Sequence, residues 1–397
     1  MSRTAYIAGV GMIPFKKPGQ SAPYDEMGAQ AVRLALDDAG LAYNEVQQAY
    51  AGFIYGDSTS GQKALYRVGM TGLPVINVNN NCASGSTALY LARQAVQSGV
   101  ADCVLALGFE QMQPGALKSA WTDRAIPFEH GRKRAEELIG KRDELPSNGL
   151  KVFGGAGDLH MRRYGTKVET FAKIRAKASR HAARNPLALF RDVLSVEDVL
   201  ASPPLWPGVM TRLMACPPTC GGAAAIVVSE AFARQRGLRT DVMIAGQALT
   251  TDSGTFWHDW DMIQIAGFGM TRETARQAYE QAGVGPEDVD VIELHDCFAQ
   301  NELITYEGLG LCAEGESEKL VEDGDNTFGG RWVVNPSGGL LSKGHPIGAT
   351  GLAQCFELTQ QLRGNAGQRQ VEGARVALQH NLGLGGAGVV TIYKKAA

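Results

Sequence analysis

The fold is decided by the stretch Pro74–Leu89, which reads PVINVNNNCASGSTAL. Residues 74–78, which are apolar except for Asn77, predict a short strand, and the small residues from Ala83 onward predict the start of an amphipathic helix. One cysteine, Cys82, lies in the turn between the two. Strands that alternate with helices build parallel sheets, so the stretch predicts an α/β protein with Cys82 at a strand end.

The same pattern recurs later in the chain. Residues 85–89, GSTAL, resemble residues 348–352, GATGL, at an offset of 263 residues. A second pair of amphipathic segments, 24–41 and 271–284, matches at an offset of 243 residues, and each segment ends beside a glycine. Chance similarity of glycine-terminated helices is the alternative, but two matches in the same order favour an internal duplication.

Apolar strands are predicted after the matched helices, at 102–108 and 375–379. We therefore expect two duplicated α/β halves, interrupted by a basic and irregular insertion with one or two helices such as 168–183. Loop-rich insertions often carry substrate contacts, although a solvated flap is the alternative. The predicted domains are an N-terminal half at 1–115 plus 219–268, an inserted loop subdomain at 116–218 and a C-terminal half at 269–397.

Composition narrows the function classes. The 397 residues carry a formal net charge of −3, from 38 basic and 41 acidic residues, which argues against nucleic-acid binding. No apolar run approaches the length of a membrane span. The seven cysteines are an odd number, and several lie in apolar segments, so a reducing compartment is favoured. Because neither terminus carries a secretory or peroxisomal signal, we expect a cytoplasmic protein.

Cys82 is the first candidate for chemistry. A cysteine at a helix N-terminus lies near unpaired backbone N–H groups, which predicts a lowered pKa and a nucleophilic thiolate. The alternative is a buried structural cysteine. The offset of 263 places His345 at the position in the second half that Cys82 holds in the first. A histidine beside a cysteine can serve as its base, whereas the alternative is a histidine held in a turn by Pro346.

Three other segments carry ionisable or glycine-rich patterns. His295 and Cys297 follow a predicted strand and are two residues apart, but the further ligands of a zinc site are missing, so no metal is expected. The segment 216–220, CPPTC, is read as a packed turn rather than a metal or redox site. The glycine run that contains Gly385 offers backbone N–H groups to an oxyanion, or forms a tight turn between strands.

Together these segments resemble the thiolase superfamily, over essentially the whole chain. The resemblance rests on NCASG at 81–85, HDCF at 295–298, GHPIG at 344–348 and the terminal glycine loop, in the order of that family. Within the superfamily, HDCF is typical of the branch that includes the thiolase domain of sterol carrier protein X. The resemblance implies a layered α-β-α-β-α sandwich.

The resemblance also implies the roles of the candidate residues. Cys82 is the nucleophile that accepts the acyl group, and His345 activates it and helps to stabilise an enolate oxygen. His295 contributes to the same oxyanion hole, and Cys297 is the acid/base at the α-carbon. Other thiolases place that acid/base cysteine in the terminal loop, which has none here. The backbone N–H groups of Cys82 and Gly385 would form a second oxyanion hole.

The expected function is that of an acyl-CoA C-acyltransferase, a 3-oxoacyl-CoA thiolase of lipid metabolism and fatty acid β-oxidation. It would bind no permanent cofactor, with coenzyme A and acyl-CoA as its substrates. It would have no nucleic-acid or membrane partner and would form a homodimer or homotetramer. The alternatives are a retro-aldolase of the lipid-transfer-protein kind on the same fold, and a non-catalytic acyl-CoA-binding partner in a complex.

Overall fold

The computed structural model describes residues 3–115, 117, 121, 123–145, 147–254 and 260–396. Residue 116, at which the predicted insertion begins, and residues 1 and 397 at the ends of the predicted halves lie outside this description. The strands are β1 Ala5–Met12, β2 Gln48–Gly52, β3 Val75–Val78, β4 Cys103–Glu110, β5 Pro204–Trp206, β6 Met210–Thr211, β7 Gly221–Ser229, β8 Val242–Thr250, β9 Val291–Glu293, β10 Val333–Val334, β11 Val376–Gly383 and β12 Ala387–Lys395.

The helices alternate with these strands. They are α1 Tyr24–Ala39, α2 Ser60–Tyr66, α3 Ser84–Ser98, α4 Glu129–Ile139, α5 Asn148–Tyr164, α6 Val168–Ala182, α7 Val196–Ala201, α8 Glu230–Arg236, α9 Met262–Ile265, α10 Phe268–Ala282, α11 Ala299–Gly308, α12 Ser317–Glu322 and α13 Thr350–Arg363. Within the described residues, no helix has the length and apolar character that crossing a bilayer requires.

Ten strands form one hydrogen-bonded series in the order β10-β9-β11-β12-β8-β1-β7-β4-β2-β3. Its two ends are equivalent, because β3-β2-β4-β7-β1 and β10-β9-β11-β12-β8 repeat the same arrangement of parallel and antiparallel neighbours. The two groups of five meet through a single pair, Tyr6 with Met243. The sheet order groups β8 with the second half, and the division of the chain into domains stays a prediction.

The three largest hydrophobic clusters hold five layers together. One core lies between the first five strands and helices α1, α2 and α8. A second contains α3 and α13, which pack between the two groups of strands. The third lies on the far side of the second group, against α10, α11 and the helices of the insertion. The chain therefore folds as the expected α-β-α-β-α sandwich.

The central helices α3 and α13 approach each other closely at their N-termini. A Cβ atom added at Gly351 would lie 2.2 Å from the hydroxyl oxygen of Ser86, and one added at Gly85 would lie 2.7 Å from the carbonyl oxygen of Gly348. Such distances exclude any side chain at these positions. The glycines of the two matched segments thus allow the helix starts, and the loops before them, to meet.

The helices end at glycines as the sequence predicts, whereas the insertion contains more helices than predicted. Gly40, Gly99, Gly283 and Gly364 all adopt the left-handed conformation directly after their helices. The described part of residues 116–218, however, contains four α-helices, α4 to α7, rather than one or two. The glycine-rich α5 was missed because glycine disfavours helices. It forms because Gly154, Gly155 and Gly157 let it pack closely against Trp206, Met262 and Gln300.

Candidate active site

Cys82 lies where the sequence places it, in the turn between β3 and α3. The turn is tight, because Asn81 adopts a left-handed conformation with φ of 49°, which asparagine tolerates better than most residues. The Cys82 side chain is 8% exposed and belongs to a small apolar cluster with Met112 and Ile347. The sulfur therefore lies in a largely dry pocket.

His345 follows a π-helical turn at Gly339–Lys343 and precedes α13. Its backbone N–H donates to the hydroxyl of Thr219, 3.0 Å away. Gly344, with φ of 112°, passes so close to Thr219 that an added Cβ would lie 2.7 Å from its methyl group. The segment 216–220, which sequence reasoning treated as a packed turn, thus supports the backbone of the histidine loop.

Hydrogen bonds fix the tautomer of His345. Its Nδ1 lies 2.6 Å from the hydroxyl of Thr350, and that hydroxyl donates its own hydrogen to the carbonyl of Pro346. Because Thr350 has one hydrogen to give, it must accept from Nδ1–H. The lone pair of His345 is therefore on Nε2, which is buried and has no hydrogen-bond partner among the described residues. This nitrogen is available as a base.

A second chain of hydrogen bonds fixes the opposite tautomer of His295. Gln379 Nε2 donates to the hydroxyl of Ser86, which donates to Asn381 Oδ1 at 3.0 Å. The Asn381 amide nitrogen is then free to donate to His295 Nδ1 at 2.9 Å. Because Nδ1 accepts, Nε2 carries the hydrogen. His295 is thus a hydrogen-bond donor, as an oxyanion hole requires.

The three predicted side chains converge. The Cys82 sulfur and one ring nitrogen each of His295 and His345 all lie within 4.8 Å of one another. The two imidazole rings meet edge to face, with centroids 5.0 Å apart. The residues come from three separate loops. Cys82 and His345, which occupy equivalent positions of the repeat with an offset of 263 residues, lie at one site. One group is suited to act as nucleophile, one as base and one as donor.

The predicted low pKa of Cys82 is wrong. Burial raises the pKa of the thiol to about 12, with a further contribution from the buried carboxylate of Glu110. The backbone N–H groups of Cys82 and Leu384 favour the thiolate, but they do not outweigh these two effects. The low pKa was predicted from the position of Cys82 at a helix N-terminus, and the local sequence does not show how deeply the thiol is buried. The resting nucleophile is a neutral thiol.

Glu110 is a site residue that sequence reasoning missed. It ends β4 and accepts hydrogen bonds from the backbone N–H groups of Ile54, Tyr55 and Gly348. It therefore connects the loop after β2 to the loop that carries His345. Burial raises its pKa to about 7 despite these bonds, so its carboxylate changes charge near neutral pH.

Both histidines are neutral in the folded protein. Burial lowers the pKa of His345 to about 3, and the positive charge of Lys343 lowers it further. The pKa of His295 is also lowered well below its usual value, first by burial and then by His345 and His380. A neutral imidazole can accept a proton, so His345 is competent as a base throughout the physiological range.

Two buried acidic residues connect the loops of the two histidines. Glu293, two residues before His295, pairs with Lys343, two residues before His345, at 3.1 Å. Asp296 accepts the backbone N–H of Leu340 at 2.7 Å, within the π-helical turn. Because paired buried charges separate only at high energetic cost, these contacts hold the relative position of the two imidazoles.

Cys297 lies at the same site beside an unexpected neighbour. The backbone N–H of Cys216 donates to the carbonyl of Cys297, and the adjacent residues Ala215 and Phe298 form an antiparallel bridge. Cys216 and Cys297 are therefore opposite each other, next to an isolated β-bridge. The pKa of Cys297 is raised by burial and then by Cys216 and Cys82.

The terminal glycine loop is the tight turn between β11 and β12. It packs against the nucleophile loop, because the Asn81 side chain donates to the carbonyl of Leu384 at 2.8 Å. Gly385 adopts φ of 113°, which only glycine adopts without strain. The turn prediction is confirmed, whereas the role of Gly385 as an oxyanion donor, and the catalytic roles of the four side chains, stay predictions.

The tautomer of His345 depends on the hydroxyl of Thr350, and Thr350→Val tests this dependence. The substitution leaves Nδ1–H without an acceptor, so the tautomer with its lone pair on Nε2 is no longer preferred. We expect acylation of Cys82 to be about tenfold slower. Single-turnover acylation with acetyl-CoA measures this rate. Thr359→Val, another buried threonine of α13, is the control and should react normally. An unchanged rate in folded Thr350→Val would contradict the assignment.

Two family models match this chain. Residues 5–196 match the family model described as thiolase, N-terminal domain, and residues 252–395 match the thiolase C-terminal domain-like model. Sterol carrier protein 2 of Homo sapiens is 53% identical over 99% of this chain and 72% of its own length. An acetyl-CoA acetyltransferase of Methanothermobacter thermautotrophicus is 34% identical over 94% of both chains.

Solved structures show the same fold at lower identity. A structure titled Ltp2-ChsH2(DUF35) aldolase covers 99% of this chain and 98% of its own, with a TM-score of 0.82 and 24% identity. Human mitochondrial 3-ketoacyl-CoA thiolase in complex with CoA covers 100% and 98%, with a TM-score of 0.75 and 18% identity. The family models and the relatives over nearly the whole chain lead to one conclusion: this chain belongs to the thiolase family.

Proposed function

We propose that the protein is an acyl-CoA C-acyltransferase, a thiolase that cleaves 3-oxoacyl-CoA with coenzyme A or runs the reverse Claisen condensation. The main observation behind the proposal is that the buried thiol of Cys82 lies beside His345, which can accept a proton. The Cys82 sulfur lies within 4.8 Å of a nitrogen of His345, whose Nε2 is unpartnered in the described structure. The acetyltransferase and thiolase names among its relatives support the same activity.

In the first step, Cys82 attacks the 3-oxo carbonyl while its proton passes to His345 Nε2. A thiol with a raised pKa and an imidazole with a lowered pKa do not exchange a proton at rest. Transfer becomes favourable as the carbonyl carbon takes the sulfur electrons, so the proton moves together with bond formation. The site therefore avoids a reactive thiolate before substrate arrives.

Cleavage of the carbon–carbon bond leaves an acyl group on Cys82 as a thioester and releases the enolate of a shorter acyl-CoA. The negative charge of the enolate is on its oxygen. His295 Nε2–H and the now protonated His345 are the donors available to this oxygen. The Cys297 thiol then protonates the α-carbon, which gives the neutral acyl-CoA product and a Cys297 thiolate.

In the second step, coenzyme A takes the acyl group. The Cys297 thiolate accepts the proton of the coenzyme A thiol, whose sulfur attacks the acyl carbon on Cys82. The departing Cys82 sulfur recovers its proton from His345, so both residues return to their resting states. Coenzyme A and acyl-CoA are thus substrates, and no permanent cofactor enters the cycle.

The structural similarity to an aldolase keeps a retro-aldolase as the second candidate. A retro-aldolase releases a free aldehyde or ketone and forms no acyl-enzyme, so it has no use for Cys82. A non-catalytic acyl-CoA-binding subunit would have no use for the base either. The presence of thiol, base and donor within one pocket favours the thiolase.

Peptide mass spectrometry after incubation with acetyl-CoA tests the proposal. The expected result is an acetyl thioester on Cys82, and Cys82→Ala should show no such adduct because its nucleophilic sulfur is gone. Cys297→Ala should still be acetylated at Cys82 but should form no 3-oxoacyl-CoA from two acetyl-CoA molecules. Cys312→Ser, a half-buried thiol outside the site, is the control and should behave as the unmodified chain.

Two results would end the proposal. One is full turnover by Cys82→Ala, and the other is release of an aldehyde or ketone from a coenzyme A thioester without labelling of Cys82. Loss of acetylation in Cys297→Ala would contradict only the acid/base role. Competition among straight-chain, α-methyl-branched and steroid 3-oxoacyl thioesters would then rank the substrates.

We also propose that two copies of the chain associate through β3, which lies at one edge of the sheet. Ile76 within β3 is 37% exposed, and Met70 in the segment before it is 79% exposed. An apolar edge strand with free backbone groups is a template for pairing with another strand. A second copy satisfies both edges at once, because a twofold axis pairs a strand with itself.

Ile76→Lys tests this association. A charge on the edge opposes strand pairing, so the variant should sediment as a monomer where the unmodified chain sediments as a dimer. Val193→Lys introduces the same charge at another exposed apolar position, 58% exposed, and should remain dimeric. A monomeric unmodified chain, or a dimeric Ile76→Lys variant, would exclude β3 as the interface.

A further inference from the structure

The three converging side chains also match a metal ligand set. A cysteine sulfur and two imidazole nitrogens, all within 4.8 Å of one another, are the group of possible ligands found among the described residues. Around a tetrahedral zinc ion, such atoms lie about 3.5 Å apart. A contraction of about 1 Å in side-chain position would therefore bring Cys82, His295 and His345 to bonding distance.

His345 already has the tautomer and the hydrogen bond that a metal ligand requires. Its Nε2 is buried and unpartnered within the described structure, and its Nδ1–H is held by Thr350. Metal-bound histidines in proteins are commonly held in this way, with the second ring nitrogen donating to an oxygen. The neutral imidazole needs no deprotonation before it binds.

The chemistry of the ligands also suits a divalent cation. The Cys82 sulfur would bind as the thiolate, and a dication stabilises that anion. The Cys82 proton leaves to solvent when the metal–sulfur bond forms, so one proton is released for each ion bound.

His295 opposes the ion. Asn381 donates to its Nδ1 at 2.9 Å, which keeps a hydrogen on Nε2, the nitrogen that would have to bind. The orientation of the Asn381 amide is set in turn by the Ser86 hydroxyl, which donates to its oxygen. Coordination therefore requires His295 to change tautomer and the amide to turn against this network.

We propose that Cys82, His345 and His295 form an inhibitory site for a soft divalent cation such as Zn²⁺, and that Asn381 limits its affinity. Sulfur and imidazole ligands select zinc and its soft relatives, whereas Mg²⁺ and Ca²⁺ prefer oxygen. Three protein ligands leave the fourth position of the ion open. The occupied site could not acylate Cys82, because the metal holds the sulfur and both imidazoles.

Cobalt substitution tests the site directly, with Co²⁺ as the spectroscopic probe for Zn²⁺ and the full chain as the sample. The expected result is a thiolate-to-cobalt charge-transfer band that saturates at one ion per chain and disappears on addition of Zn²⁺. Cys82→Ser should abolish the band, and Cys312→Ser should retain it. No band, or a band that persists in Cys82→Ser, would overturn the proposal.

Asn381→Asp tests the limit on affinity. A carboxylate accepts from His295 Nδ1–H and so frees Nε2 for the ion, which should tighten Zn²⁺ binding about 10- to 100-fold. Competition with a chromophoric chelator measures the change. Asn365→Asp adds the same charge at an exposed position and should leave affinity unchanged. Unchanged or weaker binding by folded Asn381→Asp would overturn the role of Asn381.

The outcome of the cobalt experiment is independent of the outcome of the acylation experiment. Cobalt binding is read without any acyl-CoA, and acetylation of Cys82 is read without any metal. A chain that binds cobalt at Cys82 but is never acetylated would refute the thiolase proposal alone. In a chain that does both, equimolar Zn²⁺ should block acetylation of Cys82, and removal of the ion by a chelator should restore it.

Discussion

The site depends on the close approach of two helix starts. Gly85 and Gly351 have no side chains, so α3 and α13 meet at a distance that a single Cβ would prevent. Each helix begins directly after a loop, and each loop carries one reacting group. Because the helices are equivalent members of two α/β halves, the same contact that joins the halves brings Cys82 and His345 to one pocket.

Burial then decides the chemistry within that pocket. It disfavours charge on Cys82, His295 and His345, so the thiol is neutral and the imidazoles are unprotonated. Hydrogen bonds to Thr350 and Asn381 give the two histidines opposite tautomers. One histidine thus presents a lone pair and the other a hydrogen, without any difference in residue type. This division suits a reaction in which a proton leaves sulfur while charge develops on oxygen.

Much of this arrangement could be predicted from the sequence, because it rests on local patterns and their repetition. The strand, the turn and the helix around Cys82 are adjacent in the chain, and the repeat identified His345 as its counterpart. The tautomer of His295 could not be predicted, since Asn381 is 86 residues from His295. Glu110 lies two residues beyond the predicted strand 102–108, and no chemistry was predicted for it. The pKa of Cys82 depends on packing that no local pattern records. Helix α5 was missed because its glycines serve contacts with distant residues.

Cys82 rests as a neutral thiol beside a neutral base. Ultraviolet titration of thiolate absorbance, with Cys82→Ser as the reference, measures this protonation state. Since the pKa of Cys82 is raised to about 12, the protonated form is present throughout the neutral range. The two proteins should therefore show the same absorbance from about pH 6 to about pH 9. A thiolate that is lost with Cys82 at neutral pH would show a resting ion pair and contradict the account.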